Sequence, residues 1–168
     1  MEQITQDDLV NSFINCSKGQ RNKIFVPPVE ELLKGQSEKT IFIGWKDLQK
    51  PQEGYVVTEV EGDLVGILMK NSSNKTKSLA SASMCQMCKT VLGKSEVSLY
   101  SAAKAGDAGR RGSTVGTYMC RDLTCLDYVN GTKKPILTQP GETLTVSQRK
   151  DRLHNGISKF ISKVRETE

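Results

Sequence analysis

Four of the five cysteines form two tight pairs, Cys85 with Cys88 and Cys120 with Cys125, and 31 residues separate the pairs. Two thiolates three positions apart in a tight knuckle point at one cation, and a second pair closes the tetrahedron that Zn²⁺ prefers. A complete four-sulfur shell leaves no open position, so such a metal holds structure and does no chemistry. The rival use of the same residues is two disulfides, which requires an oxidising compartment. Met1 to Asp8 is polar and acidic, without the basic-then-apolar pattern of an export signal. The reading is therefore one structural zinc on Cys85, Cys88, Cys120 and Cys125, in a cytoplasmic protein.

Other residues capable of chemistry carry less. Ala105 to Gly116 holds four glycines and the adjacent pair Arg110 and Arg111. Its spacing is neither the dinucleotide fingerprint nor a P-loop, so it reads as a flexible hairpin loop of the finger. The two guanidinium forks remain suited to a carboxylate or phosphate on a macromolecule. His154 is the only histidine, and its basic surroundings mark it as a surface residue. Zinc deaminases also carry a Cys-x-x-Cys pair but need an upstream His-x-Glu, which is missing here. Neither a nucleophile elbow nor a metalloprotease helix motif is present, and the chain is not expected to be an enzyme.

Charge is unevenly placed. Residues 1–75 carry 9 Lys/Arg against 11 Asp/Glu, whereas residues 76–168 carry 15 against 8, so a net −2 precedes a net +7. The basic half holds the cysteines, which suits either a solvated face or an anionic partner. Apolar residues make up 36% and aromatics only 5%, a soluble composition lean in large anchors. The longest apolar run, Leu64 to Met69, is far short of the roughly 20 residues needed to cross a bilayer.

The elements that must position the cysteines are legible in outline. Thr5 and Asp8 have capping-box spacing, and a helix stripe runs through Leu9, Phe13 and Cys16 towards a stop at Gly19. Pro27-Pro28 opens a short helix, Val29 to Leu33, ended by Gly35. Ile41 to Trp45 reads as a buried strand with Trp45 anchoring the first core. Tyr55 to Val60 and Leu64 to Met69 form a hairpin across Glu61-Gly62-Asp63. Asn71 to Ser83 reads as a mobile connection. Beyond it come the knuckle at Met84 to Cys88, paired strands at Val97–Tyr100 and Thr114–Met119, and a helix capped by Asp122 or Thr124. That helix presents Cys125 in its first turn and stops at Gly131. Knuckle, hairpin and ligand-bearing helix make a treble clef. A last helix, about Ser147 to Val164, places Leu153, Ile157, Phe160, Ile161 and Val164 on one face, although Gly156 inside it works against helix formation. The fold class is α+β: a small antiparallel sheet with packed helices, a treble-clef finger and a carboxyl-terminal helix. A lobe at 1–79 and a zinc lobe at 80–168 are read as parts of one compact domain.

Four stretches together resemble a known family: Ser12-Phe-Ile-Asn-Cys-Ser-Lys-Gly19, Phe42-Ile-Gly-Trp-Lys-Asp47, Met84-Cys-Gln-Met-Cys88, and Ala108-Gly-Arg-Arg-Gly-Ser-Thr-Val-Gly-Thr-Tyr-Met-Cys-Arg-Asp-Leu-Thr-Cys125. The sequence is similar to the bacterial elongation-factor-G-binding family with a carboxyl-terminal treble-clef zinc finger, the FusB/FBP type related to fusidic acid resistance. Resistance-type members resemble a helical domain followed by the zinc-bearing one, and these 168 residues hold no counterpart of that leading bundle. The resemblance implies a surface around the finger that docks onto elongation factor G and helps the factor leave the ribosome, and the chain is expected to act as a monomer. Arg110, Arg111, Lys133 and Lys134 are the charged contact candidates, with Tyr118, Tyr128 and Met87 as exposed anchors. The alternative is a zinc-dependent binder of RNA or of the ribosome.

Overall fold

A computed structural model describes residues 3–36, 41–71, 82–93 and 95–166. Two short helices open the chain. Helix α1 (Gln6–Asn11) carries the capping box foreseen from Thr5 and Asp8, each side chain bonded to the other residue's backbone N–H. It stops at Asn11 rather than running on to Gly19, because the next residues are committed elsewhere. The Gly66 N–H donates to the Ser12 carbonyl at 2.9 Å, and the Ile14 N–H donates to the Gly66 carbonyl at 3.0 Å. Ser17 and Gln20 form a second capping box that starts α2 (Lys18–Asn22), so Gly19 sits inside a helix. Helix α3 (Val29–Leu32) follows the two prolines.

Strands β1 (Phe42–Lys46), β2 (Glu53–Val60) and β3 (Asp63–Asn71) form an antiparallel meander. Glu61 and Gly62 both have positive φ, 52° and 86°, as a two-residue hairpin of native twist requires. Residues 72–81, the bulk of the expected mobile connection, lie outside the described residues; Asn71 ends β3, and residues 82–84 belong to β4 (Ala82–Met84). Strand β4 pairs with β5 (Val91–Gly93) as a separate two-stranded sheet. Strands β6 (Val97–Ala103) and β7 (Thr114–Cys120) form the second long hairpin. Its connection is partly helical, α4 (Gly106–Arg110), and not a plain loop. Gly109 is obligatory there, because a Cβ would lie 1.8 Å from the Lys104 carbonyl oxygen. Helix α5 (Cys125–Asn130) ends on Gly131 at φ 77°, and α6 (Val146–Arg165) starts from a Thr145–Gln148 capping box.

The two hairpins join into one five-stranded sheet, β1-β2-β3-β6-β7. The seam between β3 and β6 is short, pairing Lys70 with Ser101 and Asn71 with Tyr100. Asn15 spans the gap beside it. Its amide nitrogen donates to the carbonyls of Leu68 (2.9 Å) and Ala103 (3.0 Å), and its oxygen accepts from the Leu68 N–H at 2.9 Å.

Strand alternation buries both sheet faces. Ile41, Ile43, Trp45, Tyr55 and Val57 pack with Leu9 and Phe13 on one side. There Trp45 stacks on Tyr55 at 5.4 Å, and Phe13 meets both rings edge-on. Phe42, Val56, Val65, Ile67 and Met69 face the cysteines and the apolar stripe of α6, where all five anticipated residues are buried. His154 is half-buried, not a surface residue: its Nε2 lies 2.7 Å from the Glu59 carbonyl, tying α6 to β2. No helix among the described residues is long and apolar enough to cross a membrane.

Candidate metal centre and docking surface

Each cysteine arrives on a different kind of support. Cys85 and Cys88 flank the turn between β4 and β5, Cys120 ends β7, and Cys125 opens α5. All four sulfurs are buried and lie within 4.8 Å of one another. Cys85 Sγ is 3.6 Å from Cys125 Sγ, and Cys88 Sγ is 3.5 Å from Cys120 Sγ. A disulfide would hold sulfurs near 2.05 Å, whereas four ~2.3 Å arms on one Zn²⁺ place them about 3.8 Å apart. The cluster therefore fits one tetrahedral zinc and excludes the disulfide reading.

Backbone geometry makes the convergence possible. Lys89, directly after Cys88, and Leu123, between Cys120 and Cys125, take positive φ, 62° and 60°. Strained conformations of this kind persist only where surroundings over-determine them. The Met87 and Cys88 N–H groups both approach Cys85 Sγ at 3.4 Å, and Cys88 Sγ lies 3.2 Å from the Thr90 hydroxyl. Accepting hydrogen bonds first from Cys120 and then from Cys125, the Cys85 and Cys88 thiols are held below the usual thiol range. Cys125, donating chiefly to Cys120 and then to Cys85, is pushed well above it. Zinc takes its cysteine ligands as thiolates, so its binding at these four sulfurs releases protons. Thr124 precedes α5 without capping it; its hydroxyl accepts from Lys133 Nζ at 3.3 Å, and Asp122 pairs with the same lysine at 4.0 Å.

The proposed contact residues do not form one patch. Arg110 and Arg111 are exposed at the hairpin end remote from the cysteines, about 20 Å away along seven residues of β7. Arg110 is occupied by Asp107 at 2.9 Å. Tyr118 is 50% exposed, two positions from Cys120. Met87 and Tyr128, taken as exposed anchors, are buried at 5% and 7% exposure. Met87 packs against α6, where a Cβ on Gly156 would meet its sulfur at 3.3 Å. Tyr128 lies on the buried face of α5, with Lys133 Nζ 5.2 Å from its ring centre, and burial pushes its phenol up to about 12. Lys134 is exposed beyond the helix stop.

Sequence reasoning missed Gly44, Gly54 and Leu123. A Cβ on Gly44 would lie 2.8 Å from the Leu123 carbonyl, and one on Gly54 would lie 2.9 Å from the Leu123 side chain. The finger's inner turn is therefore seated in a notch cut into β1 and β2. The only trace in the sequence is glycine inside two apolar strands, a sign of close backbone approach.

No curated protein and no solved structure matches the chain. A family model described as FBP C-terminal treble-clef zinc-finger does, over residues 8–164. That span takes in the amino-terminal helices, both hairpins and α6 as well as the cysteines, and the chain accordingly belongs to the FBP C-terminal treble-clef zinc-finger family.

Proposed function

We propose that the protein is a non-enzymatic binding module that docks onto elongation factor G through its finger and helps the factor leave the ribosome. The observation that carries this reading is family membership over nearly the whole chain, centred on a closed four-sulfur site. A closed site offers no coordination position to a substrate, so the metal's work is to hold a surface rigid. A partner that binds one state of a factor more tightly than another shifts its population by that difference, with no bond made or broken. The net +7 of residues 76–168 suits an acidic partner and also supports a second reading, attachment to ribosomal RNA.

A tagged pull-down from bacterial cytosol, run with and without nuclease, separates the two. Elongation factor G is retained after digestion under the first reading; loss of every partner discards it. Under the second, retention falls steeply with salt in proportion to the phosphates contacted. Release of the factor from purified ribosomes stalled with fusidic acid, measured by sedimentation, tests the functional step itself.

A further inference from the structure

Strand β7 is an edge of the five-stranded sheet, and only part of that edge is covered. Tyr118 directs its backbone away from β6: its carbonyl accepts from the Gln86 N–H at 2.9 Å, and its N–H donates to Gln86 Oε1 at 3.0 Å. Gln86 thus stands where a residue of a sixth strand would stand. By the two-residue alternation of a ladder, Gly116 and Thr114 point their N–H and C=O groups to the same side. Both residues are exposed, and neither bonds there to another segment of the described residues. Elsewhere the fold closes such positions with amide side chains: Gln36 bonds both backbone groups of Phe42, Gln139 those of Val91, and Asn15 those of Leu68.

Beside this open stretch runs a groove between the knuckle and α6. Gly116 and Thr117 line it, with Lys89 from the knuckle and Lys159 and Lys163 from α6. The three lysines are exposed, and none has an ion-pair partner among the described residues. Asp151 is the one carboxylate on the groove's lining.

We infer that this groove takes an extended, acidic segment of a protein partner by strand addition to β7, the inserted chain continuing from the rung that Gln86 already fills. The inference rests on reading the chain as a protein-binding module and adds the site and the conformation of what it binds. Alternating donors and acceptors along Thr114 to Gly116 match a peptide backbone, and lysines above the edge favour carboxylates in its side chains. Single-stranded RNA would call for aromatic faces on which bases stack; Phe160, the groove's aromatic lining residue, is 4% exposed.

The test uses the zinc-loaded full chain and a labelled ten-residue peptide alternating Glu and Val, with a Lys/Val peptide and a ten-nucleotide RNA as comparisons. Binding of the acidic peptide is expected to slow amide exchange at Thr114 and Gly116 by at least roughly tenfold. Lys159→Glu with Lys163→Glu, both on the exposed face of α6, is expected to weaken that binding by about tenfold. N-methylation of every second peptide amide is expected to abolish it in one register and to spare it in the other. Unchanged exchange at both amides, equal binding by both N-methylated registers, or protection by the RNA instead of the peptide would overturn the inference. The peptide arm alone decides the groove, whereas capture of elongation factor G decides the proposed function, so the two failures are distinguishable.

Discussion

A thiolate is worth most where nothing else can replace it, and Cys120 is such a residue: it closes the tetrahedron from the end of a strand that also carries the half-exposed Tyr118. Cys120→Ser, or strong chelation of the wild type, is expected to remove the stoichiometric zinc. It should also abolish amide protection across residues 84–131, since metal affinity of about 10 kcal/mol or more is coupled to finger folding. Elemental analysis and hydrogen exchange check this, and unchanged melting under chelation would contradict it. At Gly44 the governing quantity is space. An alanine Cβ would sit 2.8 Å from the Leu123 carbonyl, a backbone atom that cannot swing aside. Gly44→Ala is expected to cost about 1–3 kcal/mol by overpacking, read as a lowered melting temperature with zinc still bound. Gly141→Ala, with nothing within 4 Å of its Cβ, serves as the neutral control.

Among the elements, what the sequence made legible was whatever depends on local pattern. The Thr5–Asp8 cap, the Glu61-Gly62 turn, the α6 stripe and the cysteine pairs are each decided within a few residues, and each stands in the structure. What could not be read depends on distant chain. The stripe through Leu9, Phe13 and Cys16 is a fair helix pattern, but a single parallel bridge from Phe13 to Gly66 on β3 claims the backbone of residues 12–14. Met87 and Tyr128 look like exposed contacts until α6 and the α5 core cover them. Asn15 reads as one polar residue among others, yet it holds both strands flanking the sheet's short seam. Asn15→Ala leaves the Leu68 and Ala103 groups without their partner; a loss of about 1–3 kcal/mol is expected. Exchange should rise first at Leu68 and its neighbours. Asn15→Leu, which fills the volume without the bonds, is expected to fare no better; recovery by leucine would mean that packing, not hydrogen bonding, is what Asn15 contributes.

Across the whole molecule the finger and the amino-terminal meander share one sheet, and the two glycines beneath Leu123 key one into the other. The sheet face that meets the cysteines and α6 carries Phe42, Val56, Val65, Ile67 and Met69, all at 2% exposure or less. If the finger melts, that apolar face loses its cover. Burial of a side chain of this size is worth roughly 1.5–3 kcal/mol, so the meander cannot be indifferent to the metal. Trp45 reports on the opposite face, stacked on Tyr55 and bonded through its indole N–H to the Phe25 carbonyl at 2.8 Å. We therefore expect the thermal transition seen by Trp45 fluorescence to coincide with that seen by finger amide signals, and chelation to move both downward together. A Trp45 transition that stays in place after zinc is withdrawn would mean two independently folding lobes, joined at Lys70–Ser101 and Asn71–Tyr100 without sharing stability. In that event the docking surface would be lost with the metal while the amino-terminal core persisted, and zinc supply would act on the finger alone.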